Sequence, residues 1–306
     1  MSATGRPERI PTEYTVLDDR FWSCRGDKWL ERHHSDCGWA EGPVWVPAGR
    51  YLLWSDIPGD RLLRFDETTG IVGVFREPSG HANGSTLDRS GRLVTCEHGN
   101  RRVTRTEHDG SVTVLADRFE GKRFNSPNDV VERSDGSIWF TDPDYGIRGW
   151  YEGTKSESEI GSRNVYRLDS GASTVTVVAD DLDQPNGLAF SLDERTLYVV
   201  DSARQHIRAF ALGEDGSLRG GKVLVTAAPG NGFDGLRLDD EGRIWAGAGS
   251  AVHCYHADGT LLGTLSVPEV VANLTFGGKR RNRLFITATT SLYSIRLAAR
   301  GPSLLR

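Results

Sequence analysis

NGLAFSLDERTLYVVD (186–201) opens on Asn-Gly, passes a short apolar segment, turns through Leu-Asp-Glu-Arg and enters an apolar run that ends in aspartate. Runs this short, bounded by Asn, Gly, Asp and Ser, read as strands, because a helix needs a longer stretch with a 3.6-residue period. The unit recurs as EGPVWVPAGRYLLWSD (41–56), NGSTLDRSGRLVTCE (83–97), NDVVERSDGSIWFTD (128–142), DGLRLDDEGRIWAGA (234–248) and NLTFGGKRRNRLFITAT (273–289). A third strand follows each: RLLRFD (61–66), RVTRTE (102–107), NVYRLD (164–169), IRAFAL (207–212), AVHCYH (251–256) and SLYSIR (291–296). A fourth follows the first five: IVGVF (71–75), SVTVLA (111–116), TVTVVA (174–179), GKVLVT (221–226) and TLLGTLSV (260–267).

Six recurrences of a four-strand unit predict an all-β chain folded as a six-bladed β-propeller. A two-sheet sandwich would not produce a six-fold repeat. The sixth unit lacks its fourth strand. YTVLD (14–18) is an unassigned strand-like run ahead of the first unit. An N-terminal strand that completes the last blade closes the ring and removes exposed edges. Residues 1–306 are therefore expected to form a single propeller domain, with 1–40 as lead-in and closing strand. Two stretches interrupt the repeat, 19–40 and 143–163. The second lies between two strands of the third blade and is read as a lid.

Composition fits a water-soluble β protein. Of 306 residues, 37% are hydrophobic and 26% charged, and the 36 glycines suit a turn-rich fold. A net charge of -5 gives no footprint for nucleic acid or anionic membranes. The segment MSATGRPERIPTEY has no apolar core of a secretory leader, and no apolar run approaches a membrane span, so a cytoplasmic location is expected. Cys24, Cys37, Cys96 and Cys254 show no metal or disulfide-framework spacing. Buried free thiols are expected, with Cys24–Cys37 the one bridge worth testing.

Alignment of the units exposes a pattern. Their opening residues are Glu41, Asn83, Asn128, Asn186, Asp234 and Asn273, all carboxylates or carboxamides. The first strand of a blade lines the central channel, so these positions should converge on the axis. A cation would neutralise the two carboxylates, and an all-oxygen set favours a hard ion, Ca²⁺ before Mg²⁺. The competing reading is that Asn and Asp merely cap turns before glycine.

At GWAEGPVW (38–45), FNSPNDVV (124–131), QPNGLAFS (184–191) and GFDGLRLD (232–239) the sequence resembles the gluconolactonase/regucalcin (senescence marker protein) family of six-bladed propellers. HANG (81–84), SPND (126–129) and DPDYG (142–146) resemble its bacterial gluconolactonase branch. The resemblance covers nearly all of residues 38–297. It implies one divalent metal, Ca²⁺ first, on Glu41, Asn128, Asn186 and Asp234, an arrangement similar to that of diisopropylfluorophosphatase. It also implies that Asp234 doubles as the base. The regucalcin pattern has an Arg two residues before its channel Asn in the third blade. Here Ser126 holds that place and Arg123 lies upstream.

The expected activity is opening of a small sugar lactone, glucono-1,5-lactone-like, with a metal as Lewis acid and an activated water. The alternatives are a metal-dependent phosphotriesterase or esterase, or a non-catalytic propeller that binds calcium or sugar. His81 is the second candidate base and His98 a weaker one, while His33 and His34 read as solvated or packing residues. Asn83, Asp142 and Asn273 are expected to meet the substrate, and Asp129 to stand behind the ring. The partner is a small molecule, with no nucleic acid and no membrane. No G-x-S-x-G nucleophile elbow and no dinucleotide-binding glycine motif is present.

Overall fold

A computed structural model describes residues 7–303; the first six residues of the MSATGRPERIPTEY segment lie outside that range. Six antiparallel sheets of four or five strands follow one another along the chain. The first blade comprises Ala40–Val46, Tyr51–Asp56, Arg61–Asp66 and Val72–Arg76. The second comprises Ala82–Leu87, Leu93–Glu97, Arg102–Thr106 and Val112–Ala116. The third comprises Val130–Glu132, Ile138–Asp142, Asn164–Leu168 and Val175–Ala179. The fourth comprises Pro185–Phe190, Thr196–Asp201, His206–Leu212 and Leu218–Thr226. The fifth begins Phe233–Leu238, Ile244–Ala248, Ala251–Tyr255 and Leu261–Ser266, and the sixth Val271–Gly277, Arg283–Ala288 and Ser291–Arg296. The six-bladed propeller is the observed fold.

Closure follows the expected logic with a different segment. Tyr14–Val16, within the YTVLD run, adds a fifth strand to the outer edge of the fifth blade, against Leu261–Ser266. The last blade is completed by Trp29–Ser35, which pairs with Ser291–Arg296, and Glu8–Pro11 adds one strand beyond it. The closing strand escapes a sequence reading because WLERHHS carries five polar or charged residues in succession. In the sheet these have partners. Leu30 is buried, His33 Nε2 lies 2.8 Å from Ser294 Oγ, and Arg283 Nη2 donates to Glu31 Oε2 at 2.6 Å. Burial pushes His33 down to about 3, so it packs as a neutral ring. His34 stands edge-on to Trp54 with centroids 5.7 Å apart.

The core lies between the blades as a ring of apolar clusters. Trp54, Trp139 and Trp245, each from a second strand, are fully buried within it. All four cysteines are free and buried. Cys24 does not bridge to Cys37; its thiol donates to the Phe21 carbonyl and faces Cys254.

The carboxylate that ends several second strands proves to be a clasp. In the third blade Asp142 accepts the backbone N–H of Asn125 at 2.9 Å and of Ser126 at 2.8 Å. Asp201 does the same in the fourth blade for Asp183 and Gln184, at 2.8 and 3.0 Å. Asp56 accepts Gly38 N–H in the first, at 2.8 Å. Each clasp fixes the segment that enters the inner strand, and so the depth at which that strand meets the axis. Asp142 is fully buried, and burial pushes its carboxyl up to about 7 although the two amides pull the other way.

Asp142→Ala would leave two buried N–H groups without an acceptor, a cost of about 2–4 kcal/mol. Denaturant unfolding should show the midpoint falling accordingly; an unchanged midpoint would rule out the clasp.

Candidate active site

Neighbouring inner strands touch at the residue after four of the ring positions, which explains Gly42, Gly84, Gly187 and Gly235 there. A Cβ on Gly42 would stand 1.9 Å from the Asn83 carbonyl oxygen, and Gly42 also has φ +52. A Cβ on Gly235 would stand 2.1 Å from Asn273 Cγ. Only glycine permits so close a packing. The turn-capping reading therefore gives way to one in which glycine lets adjacent blades close on the axis.

A second local device aims the side chains. The ladder shifts register at Glu41/Val44, Ala82/Ser85, Pro185/Leu188, Phe233/Leu236 and Val271/Asn273. Each is a β-bulge or irregularity at the ring position, and bulges next to functional sites redirect a side chain. The third blade differs. Its inner strand starts only at Val130, and Asn128 precedes it on a segment held by the Asp142 clasp and by Asn128 N–H on Thr141 O, 2.8 Å.

Contacts link the ring residues in turn. Asn273 Nδ2 donates to Glu41 Oε2 at 3.0 Å, joining the sixth blade to the first. Gly84 N–H donates to Asn128 O at 2.7 Å, joining the second to the third. The Asn186 side chain hydrogen-bonds Asp234, and its Nδ2 also lies 3.1 Å from Ser202 Oγ, which itself donates to Phe233 O. Asn83 Nδ2 points at His98 Nε2, 3.1 Å away, and Asn83 Oδ1 is buried with no hydrogen-bond partner. Below the ring, Arg237 spans from the fifth blade to the third and grips Asp129 with both nitrogens, at 3.0 and 3.2 Å. Asp129 thus stands behind the ring as a buried, paired charge.

The electrostatics follow from burial. Glu41 is pushed up to about 7, by burial first and by the Asp129 charge, against Gly42 N–H and Asn273. Asp234, which keeps a window to solvent, is held well above the usual carboxylate range by burial and then by Glu41 and Glu152. Two buried carboxylates, one of which disfavours ionisation of the other, flanked by an amide oxygen with no donor, suit a hard cation. Among the described residues no cluster of three or more His, Cys, Asp or Glu would hold a metal. The ring's fit to a cation rests on carboxamides, which such a cluster does not count.

The other expected site residues divide. His81 Nδ1 lies 2.8 Å from the Ile57 carbonyl, so Nδ1 carries the proton and Nε2 the lone pair. His98 is fully buried, and burial pushes it down to about 3, so it is neutral and orients Asn83. Asp142 and Asn273, expected to meet substrate, both turn out to be spent on the protein. Asp142 clasps the loop, while Asn273 donates to Glu41 and accepts Leu274 N–H at 2.8 Å. Ser126, where the regucalcin pattern has Arg, is buried and ties the insertion down: it donates to Pro143 O at 2.7 Å and accepts Gly146 N–H at 3.0 Å. Arg123 points away, to Asn100 O at 3.0 Å.

Residues 143–163 roof this end of the channel. Asp144 binds Gln184 Nε2 at 2.9 Å and Tyr145 reaches Ser202, both beside the fourth blade. Tyr151 Oη donates to Gly38 O at 2.9 Å in front of the first blade. Arg101, from the second blade, holds Ser156 and Glu159 at 3.2 Å each. The roof is therefore strapped to blades on several sides. It brings in Tyr145 and Glu152, which the repeat could not reveal because they stand outside it; Arg237, also unforeseen, lies within the GFDGLRLD motif.

Fold and covered polar axis together define a propeller enzyme for a small polar substrate. Residues 39–290 match the family model described as SMP-30/Gluconolactonase/LRE-like region, and the chain belongs to that family. A gluconolactonase of Zymomonas mobilis is 32% identical over 87% of this chain and 81% of its own. A pentonolactonase of Haloferax volcanii is 33% identical over 83% and 82%. The solved structure of a gluconolactonase from Xanthomonas campestris superposes with a TM-score of 0.89 at 38% identity, covering 95% of this chain and 98% of that one. With these relatives the chain is a lactonase, and sugar lactones are its class of substrate.

The pKa of Glu41 gives a sign to check. A group raised from about 4.5 to about 7 on folding contributes stability that is complete below 4.5 and lost as pH rises through 7. In chelator, the melting temperature should fall between pH 5 and pH 8, and Glu41→Gln should flatten that slope. An equal slope in the variant would contradict the buried, protonated Glu41.

Proposed function

We propose that this lactonase opens a glucono-1,5-lactone-like ring with one divalent cation, calcium first, held by Glu41, Asn128, Asn186 and Asp234. The observation that carries the reading is the pairing of Glu41 and Asp234. They come from blades four apart in the chain, both are held above the usual carboxylate range, Asp234 in part by the Glu41 charge, and they share the axis with carboxamides that offer oxygen. When bound, the cation supplies a Lewis acid that polarises the lactone carbonyl and stabilises the charge developing on its oxygen.

The chain's own groups account for the rest. Asp234 faces solvent through the channel mouth and takes the proton of the attacking water on its free carboxylate oxygen. Asn186 restrains that carboxylate from one side. Asn273 and Gly42 N–H hold the Glu41 carboxylate in place, so its position does not depend on the substrate. Asn83, turned by His98, keeps its oxygen free for substrate or ion. His81 Nε2 is the second candidate for the base, on the side facing the second blade. Asp142 and Asn273 serve as supports. The roof at 143–163 limits water and admits a small ring rather than a polymer.

Glu41→Ala and Asp234→Ala should each lower kcat/KM for glucono-1,5-lactone by at least ~10²-fold, the scale of a lost general base, and remove one equivalent of bound calcium. His81→Ala should cost less than about tenfold if Asp234 is the base. Acid release in a pH-stat, with chelation and metal add-back, reads all three. Full turnover after exhaustive chelation would overturn the metal assignment, and a full-activity Asp234 variant would overturn the base.

A further inference from the structure

The carboxylate of Glu152 is anomalous. It hangs from the roof one residue after Tyr151, whose hydroxyl is anchored on Gly38 O. It is three-quarters buried, yet no protein donor is within hydrogen-bond distance of it: its nearest partner is His98 Nδ1, at 3.9 Å, which also faces the Glu152 backbone carbonyl. Burial raises its pKa, with the Arg148 charge opposing. Arg148 is committed elsewhere, to Asp144 at 2.6 Å and over the Tyr145 ring at 4.7 Å. Asp234 senses the Glu152 charge, which places the two on the same cup. Its oxygens still reach solvent and no protein donor claims them, so they are free to accept from a ligand.

A ring hydroxyl suits this group, since it donates to the carboxylate. A second hydroxyl on the neighbouring carbon can donate to the other carboxylate oxygen. Lactones without ring hydroxyls offer neither. We infer that the Glu152 carboxylate is a substrate-contacting subsite that recognises a hydroxyl of the lactone ring and selects polyhydroxylated lactones over bare ones. The inference rests on the lactonase reading for its substrate, and on the roof geometry alone for its location.

The test compares D-glucono-1,5-lactone with δ-valerolactone in the full-length protein and its Glu152→Ala and Glu152→Gln variants. In the alanine variant the ratio of kcat/KM values, hydroxylated over bare, should fall at least tenfold. The loss should appear in KM more than in kcat, and glutamine should recover part of it. Calorimetric binding of the unreactive D-glucono-1,5-lactam against δ-valerolactam should show the same selective loss. Equal losses for both lactones, or no loss, would overturn the subsite. If the wild-type protein opens neither lactone, the proposed activity fails, while the lactam titrations still decide whether Glu152 binds hydroxyls.

Discussion

Everything at the axis depends on one constraint, the confinement of Glu41 and Asp234 where both cannot ionise freely. Water is scarce there, burial raises both carboxylates, and the Glu41 charge raises Asp234 further. The surrounding architecture serves this strained pair. Glycines let the inner strands come close, bulges turn the side chains inward, and the Asp142 and Asp201 clasps set the depth of the strands. Beneath it the buried pair Arg237–Asp129 seals the channel and gives the negative ring a nearby positive charge. Such a pair is a weak source of stability but holds two blades in a fixed relation.

Much of this was legible in the sequence because propeller blades repeat. Once NGLAFSLDERTLYVVD was matched to five other segments, strand order, blade number and the six ring positions followed from alignment. What stayed hidden lacked a repeat. The closing strand WLERHHS is polar because its outer neighbours and Arg283 supply partners that no local pattern announces. Asp142 was read as reaching the substrate because an aspartate at a strand end near the channel can point either way. Its backbone partners, 16 and 17 residues earlier, decide the matter. Asn273 aligns with the other strand-opening residues, but its hydrogen bond to Glu41, 232 residues away, depends on ring closure.

The roof shows the same division between repeat and exception. Its length marked it as special, yet the residues that matter, Tyr145, Tyr151 and Glu152, could not be ranked by sequence alone. Their significance comes from Tyr145 reaching Ser202, Tyr151 bonding Gly38 and Glu152 standing near His98, contacts with three different blades. Ser126 joins roof and ring, since its hydroxyl bridges Pro143 and Gly146 two residues before Asn128. A substitution there would disturb cover and cup together. The serine in place of the arginine of the regucalcin pattern therefore marks a different way of building the entrance.

The pairing of Trp29–Ser35 with Ser291–Arg296 has a temporal side. During synthesis the early segment leaves the ribosome roughly 260 residues before its partner, a separation that makes this the most non-local pairing in the ring. Until the last blade emerges, the edge of this strand that meets Ser291–Arg296 stays open, a hazard for wrong association. The polar face of WLERHHS, so unlike a typical β segment, is what keeps that waiting strand in solution rather than in an aggregate.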